Sequence, residues 1–302
     1  MSAHMSRADW TILLILSVIW GGSFFFIGIA IHSVQPLTLV LLRVGLAAIF
    51  LWTWRSVRRE PVGLPAGSAP ALFVLAALNN VLPFILFAFA QRTIPSGLAS
   101  ILNATTPIWG VIVAHVFTHD ERASPAKIAG VLLGFGGVAV MIGADLLGQI
   151  GTNVLAQIAC LGATLSYALA GVWGRRFKPM GVQPAAVAAG SLSAAALILV
   201  PLVLLFEPPW HATAPTSEAW AAMIALALLC TAIAYILYFK LLASAGATNS
   251  LLVTFLIPVT AIILGTMVLG EQLATRHFAG MGLIGLGLAA IDGRLLRLFR
   301  KG

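Results

Sequence analysis

Long apolar runs follow one another along most of this chain, and each is long enough to cross a lipid bilayer. Of its 302 residues, 60% are hydrophobic and 9% are charged, whereas a soluble domain carries about 25% charged residues. A membrane-spanning helix needs about 20 mostly apolar residues, whereas the strands of a membrane β-barrel alternate over about 10. The continuous runs therefore predict an all-α integral membrane protein with the lipid bilayer as its surroundings.

Ten such runs predict ten transmembrane helices. They lie at residues 10–31, 36–54, 70–91, 97–118, 125–143, 152–174, 183–206, 216–241, 248–269 and 276–295. The connections between them are short, so no separate soluble domain is expected. The opening residues MSAHM resemble a cloning remnant, and we expect residues 1–4 to be foreign and the natural chain to start at Met5.

The basic residues are distributed unevenly between the two sides of the membrane. If the N-terminus is cytoplasmic, fourteen of the 17 Lys and Arg residues fall on the cytoplasmic side, two (Arg92 and Arg276) fall outside, and Arg43 lies within the second span. This positive-inside bias predicts that both termini are cytoplasmic. It also explains the net charge of +8 as orientation, so no nucleic-acid partner is expected.

Motifs of the first half recur in the second half at a nearly constant distance. Val-Gln-Pro occurs at 34–36 and again at 182–184, and Pro107 recurs as Pro258, 151 positions later. Further matching pairs are Glu121 with Glu271, Gly130 with Gly280 and Gly137 with Gly287. We infer two five-helix units, residues 5–147 and 150–302. Because five is odd, the second unit enters from the opposite side, which is the inverted repeat of many secondary transporters and predicts alternating access around a central cavity.

The combined motifs resemble a known family. These motifs are WGGSFFFIG at 20–28, Arg43 in the second span, and the repeated order of helix-interrupting Pro, then Glu, then a Gly-rich helix. They resemble the EamA-type members of the drug/metabolite transporter superfamily, and among ten-helix members the YddG-type bacterial amino-acid exporters. The resemblance implies export of aromatic and other amino acids across the bacterial cytoplasmic (inner) membrane. The second half departs from WGGSF, because it reads YALAG at 167–171.

Polar and aromatic residues near the middle of the spans are the candidates for the cavity wall, since polar groups at mid-membrane usually face protein or water. The candidates are Trp20, Asn79, Asn80, Asn103, Ser166, Tyr167, Thr231, Tyr235, Tyr238, Thr254 and Phe255. Amides and hydroxyls among aromatic rings suit a neutral or zwitterionic solute. Each polar group could instead bridge two helices. Asn79 and Asn80 diverge by about 100° on a helix, so one of them should face the cavity.

Arg43 is the basic residue placed well inside a span. It could attract a substrate carboxylate, or its long side chain could extend to the outer surface or cap carbonyls of neighbouring helices. Three prolines, Pro83, Pro107 and Pro258, interrupt helical hydrogen bonding and are candidate hinges or fixed kinks.

The titratable residues suggest no cofactor. No Asp or Glu occupies the centre of a span, which favours passive facilitation over proton coupling, although His115 could carry a proton.

Glu121 and Glu271 are expected to cap helices or pair with nearby Arg residues. His115 and His119 share a helical face, but too few further ligands are near in sequence for a metal site.

The fifth and tenth spans are rich in glycine, which permits close helix contact within one chain or across a dimer. We expect a monomer, with a dimer through these spans as the alternative.

The chain has no GxSG, HExxH or paired intramembrane aspartates, so an enzyme is not expected. The resemblance implies an amino-acid exporter; the alternative is export of a drug, nucleobase or sugar derivative by the same fold.

Overall fold

The computed structural model describes residues 5–60, 67–119, 123–142, 150, 153–211, 214–260 and 275–292. The expected remnant at 1–4 and the two candidate caps, Glu121 and Glu271, lie outside these ranges. Within them the secondary structure is entirely helical. The prediction of an all-α membrane fold is confirmed.

Ten helices correspond to the ten predicted spans in the described part of the chain. They are α1 (Arg7–Ala30), α2 (Pro36–Val57), α3 (Ser68–Ala90), α4 (Ser96–Phe117), α5 (Pro125–Ile142), α6 (Val154–Phe177), α7 (Pro184–Phe206), α8 (Ser217–Ala247), α9 (Asn249–Thr260) and α10 (Thr275–Asp292). Seven are long and apolar enough to cross a membrane; α5, α9 and α10 are shorter apolar helices within the described residues.

The repeated Val-Gln-Pro marks the start of a helix in both halves. Gln35 and Gln183 precede α2 and α7 in extended conformation, with ψ of 151° and 147°. Pro36 and Pro184 then open the two helices, where the missing N–H of proline costs nothing and its fixed φ already suits a helix. The tripeptide is therefore a helix-start signal.

Helices of the two halves pack on one another in matching pairs. α2 packs along α7, and α5 packs along α10. α1 contacts α8, and the equivalent pair α3 and α6 is also in contact. The pair α4 and α6 is in contact, and so is the equivalent pair α9 and α1. In the second pair, Thr260 of α9 donates a hydrogen bond of 2.9 Å to the carbonyl of Ser17 in α1. Each contact has a counterpart when equivalent helices are exchanged. The unit boundaries at 147 and 150 stay a prediction.

The pair α5 and α10 is held by glycines on both helices. A methyl group on Gly130 would lie 2.7 Å from the carbonyl oxygen of Gly287, and one on Gly137 would lie 2.7 Å from that of Gly280. Both distances are too short for a side chain, so the two backbones meet directly. These glycines are thus used for packing within one chain, and the oligomeric state stays a prediction.

Candidate transport cavity

A constricted cavity lies at the centre of the bundle, between α1, α2, α3, α4, α6, α8 and the start of α9. It encloses about 80 Å³ of free space, enough for a few water molecules and well below the roughly 300–1,000 Å³ of ligand pockets. The helices around the cavity must therefore move apart before a metabolite can bind.

Eight of the residues predicted from the sequence line this cavity. They are Trp20, Arg43, Asn79, Asn103, Tyr167, Tyr235, Tyr238 and Thr254. They come from seven different helices and from both halves of the chain. The wall accordingly combines amides, hydroxyls and aromatic rings, with one guanidinium among the described lining residues.

The four other candidates lie one layer behind the wall. Asn80 and Thr231 are fully buried and hydrogen-bonded to lining residues. Ser166 donates to the carbonyl of Leu78 at 2.7 Å. The ring of Phe255 points toward α5, where a methyl group on Gly134 would lie 2.7 Å from it.

Several lining residues were missed by the sequence reasoning. Ser23, Phe24 and Ile27 follow Trp20 at three, four and seven positions, which is the spacing of one helical face. This spacing could have identified the three residues of α1 from the sequence. The others are Phe84, Phe87, Leu251, Val253 and Ile257.

Tyr235 connects the two halves through the asparagines of α3. Its hydroxyl donates to Oδ1 of Asn80 at 2.6 Å and accepts from Nδ2 of Asn79 at 3.3 Å. All three residues are buried. Because all three side chains are buried, these hydrogen bonds orient both amides.

Replacing Tyr235 by phenylalanine should destabilise the protein and slow transport. The change leaves two buried amides short of a partner, which costs about 1–3 kcal/mol. We expect the apparent melting temperature to fall by several degrees and substrate exchange to weaken. Tyr238→Phe is the matched control, because among the described residues the Tyr238 side chain makes ring contacts but no hydrogen bond. Equal effects of the two changes would contradict a specific role for the Tyr235 hydroxyl.

Two π-helical segments lie at equivalent positions of the halves, at Ala77–Val81 in α3 and at Leu228–Ile233 in α8. Such segments displace carbonyls from regular helical bonding and are frequent at functional sites. In each segment, one carbonyl accepts a hydrogen bond from a side chain on the first helix of the other half. Trp20 Nε1 donates to the carbonyl of Cys230 at 3.0 Å, and Ser166 Oγ donates to that of Leu78. Trp20 is therefore a hydrogen-bond donor as well as an apolar wall.

Contacts narrow the cavity toward both ends. At the end predicted to be outer, Gln91 Nε2 and Ser96 Oγ both donate to the carbonyl of Phe24, at 3.0 and 3.1 Å. At the opposite end the side chain of Leu251 occupies the space beside Gly110 and Gly171. Glycine at these two positions leaves room for the leucine, which packs between α4 and α6.

The candidate hinges lie beside the cavity. Pro107 follows a break in α4, whose two parts are Ser96–Asn103 and Thr106–Phe117. Pro83 lies two residues after the π-helical segment of α3, and Pro258 lies in α9. Their role as gates stays a prediction.

His115 lies near the C-terminal end of α4, outside the cavity lining. It is exposed, and its Nδ1 accepts a hydrogen bond of 3.4 Å from the backbone N–H of Ala123. Over the described ranges, no group of three His, Cys, Asp or Glu side chains is arranged to hold a metal ion.

A family model described as the EamA-like transporter family matches residues 9–143 and 154–291. The chain belongs to the EamA-like transporter family. It is a membrane transporter and not an enzyme, and the resemblance to EamA-type transporters seen in the sequence is confirmed.

Relatives match this EamA-like chain along nearly all of its length. The Bacillus subtilis strain 168 transporter YoaV is 22% identical, covering 91% of this chain and 94% of its own. The Escherichia coli K12 inner membrane transporter YedA is 25% identical, with coverage of 90% and 86%. A Salmonella typhimurium LT2 protein named "Probable amino-acid metabolite efflux pump" is 28% identical, with coverage of 94% of both chains.

A solved chain titled "Crystal structure of protein" shares the fold of this EamA-like transporter. Its TM-score is 0.73 at 20% identity, and the match covers 94% of this chain and 95% of that one. At this identity the likeness concerns the fold alone.

Proposed function

We propose that this EamA-like transporter exports amino acids, aromatic ones included, and related small metabolites across the bacterial cytoplasmic membrane, with both termini in the cytoplasm. The observation that carries the proposal is the wall of the central cavity. It joins amides and hydroxyls to aromatic rings and contains Arg43 as a charged group, which suits small zwitterions of varied side chain. The relatives named amino-acid metabolite efflux pumps support it.

Alternating access is the mechanism that we propose. The cavity is too small for a metabolite, and contacts narrow it toward both ends. A substrate can therefore load only after one constriction opens. The matching helix contacts of the two halves provide equivalent movements for the two sides.

Passive facilitation fits the lining better than proton coupling. No carboxylate from the described residues lines the cavity, whereas proton-driven carriers commonly keep an ionisable group there. His115, the alternative proton carrier, lies outside the lining. Transport would then follow the concentration gradient of the substrate.

Counterflow in proteoliposomes tests the function. Vesicles loaded with unlabelled amino acids should take up labelled phenylalanine and threonine with saturation, and an imposed pH gradient should leave the rate unchanged. Protein-free vesicles are the control. Absence of exchange for every amino acid would contradict the proposed substrate class, while a rate that follows the pH gradient would contradict passive facilitation.

A flat ring substrate, such as a nucleobase, is the second candidate cargo, ahead of drugs or sugar derivatives. Trp20 and Tyr238 both line the cavity with ring centroids 5.5 Å apart, and aromatic rings favour stacking with other rings. Adenine and uracil in the same counterflow assay distinguish this cargo from amino acids.

A further inference from the structure

Arg43 is a buried cation whose hydrogen-bonding capacity is largely unused. Its side chain is 4% exposed and lines the central cavity. Nε donates to Thr231 Oγ1 at 2.8 Å, and no other hydrogen bond to Arg43 is present within the described ranges. The N–H groups on its two terminal nitrogens are thus left for a ligand in the cavity.

Two contacts hold the guanidinium in position. The Thr231 hydroxyl donates to the carbonyl of Leu226 at 2.7 Å, which turns an oxygen lone pair toward Nε of Arg43. On one face, the ring of Phe84 lies 3.8 Å from Cζ. A guanidinium tied at Nε and stacked on a ring keeps its planar fork pre-organised. Thr231 is therefore a positioning residue for Arg43.

A charge at this depth requires a partner. Removing a guanidinium from water is costly unless an anion or several acceptors replace the water. No Asp or Glu of the described chain lines the cavity. The small cavity also limits how many waters can solvate the group. An anionic group on the solute would supply the negatively charged partner that the guanidinium lacks among the described lining residues.

We propose that Arg43 binds the carboxylate of the transported solute and that this EamA-like protein selects monocarboxylates, with or without an amino group. A carboxylate matches the planar fork of arginine with two parallel hydrogen bonds. This inference rests on the proposed function, because it names the group that the amino acids share.

The amino group of the solute contributes less to binding. Its available partners in the lining are neutral, such as Oδ1 of Asn79, whose Nδ2 is directed toward Tyr235, and the aromatic faces of Trp20 and Tyr238. The positive lining also disfavours solutes with net positive charge. Phenylalanine and 3-phenylpropionate should therefore bind, whereas phenylalaninamide, phenethylamine and lysine should bind weakly.

Competition in the counterflow assay tests the carboxylate requirement. Against labelled phenylalanine, unlabelled phenylalanine and 3-phenylpropionate should compete about tenfold or more better than phenylalaninamide and phenethylamine. Arg43→Met should weaken phenylalanine exchange by a similar factor and erase the preference for the acid over the amide. Arg43→Lys should keep part of it, because the charge remains and the fork is lost. Arg58→Met, which removes an exposed cation directly after the last residue of α2, should change neither.

A binding measurement keeps the test independent of transport and of the variants. The apparent melting temperature of the wild-type protein should rise with 3-phenylpropionate and stay unchanged with phenylalaninamide at equal concentration. Equal competition or equal stabilisation by acid and amide would overturn the carboxylate site and leave amino-acid export standing. Absence of amino-acid exchange together with stabilisation by carboxylates would overturn the proposed function and support the site.

Discussion

Replacing Gly137 by leucine is expected to prevent recovery of a monodisperse, folded protein, and Gly137→Ala should lower the apparent melting temperature by at least about 5 °C. A Cβ at this position would lie 2.7 Å from the carbonyl oxygen of Gly280 and 2.8 Å from the backbone nitrogen of Ile284. Both atoms belong to the backbone of α10 and cannot rotate away. The two helices would have to separate along their contact.

The neighbouring glycine is the control for this prediction. A Cβ on Gly136 would meet no atom within 4 Å, so Gly136→Leu should change the melting temperature by no more than about 1–2 °C. Helix propensity changes in the same sense at both positions, since both replace a mid-helix glycine. Equal loss of stability at 136 and 137 would contradict the close packing of α5 on α10.

Cross-linking the constriction at the end predicted to be outer is expected to abolish exchange. A Cβ on Gly28 would lie 2.9 Å from Ser96 Oγ, so cysteines at both positions bring two sulfurs within bonding reach. Oxidation of the variant Gly28→Cys with Ser96→Cys should lower counterflow to the level of protein-free vesicles, and a reductant should restore it. The reason is that α1 could no longer part from the start of α4.

Control variants distinguish the effect of the disulfide on exchange from the effect of losing the native contact. The two single variants measure the cost of removing the Ser96 hydroxyl and of adding a side chain at 28. Gly45→Cys with Ser96→Cys should not respond to oxidant, because a Cβ on Gly45 meets no atom within 4 Å. The buried thiols Cys160 and Cys230 are present in every variant. Undiminished exchange by protein shown by mass spectrometry to be cross-linked would contradict alternating access through this end.

The position of a residue along its helix could be read from the sequence, but its direction around the helix could not. Asn79 and Asn80 were predicted to diverge, and the structure assigns the first to the cavity wall and the second to the layer behind it. Phe255 was a candidate for the wall, and its ring instead lies beside Gly134. A rotation of about 100° per residue separates these outcomes, and a π-helical segment adds a further shift that no local pattern announces.

The sequence by itself determined an all-helical membrane protein of ten apolar helices, and the positions of Arg43 and the central polar residues along those helices. Apolar transfer free energy is set residue by residue along each run, so it can be summed without knowing any partner. The tertiary structure decided which side chains meet. Arg43 and Thr231 stand 188 positions apart, and Tyr235 stands 155 from Asn80. Such contacts arise only when helices of both halves pack together, and they turn scattered polar residues into one cavity wall.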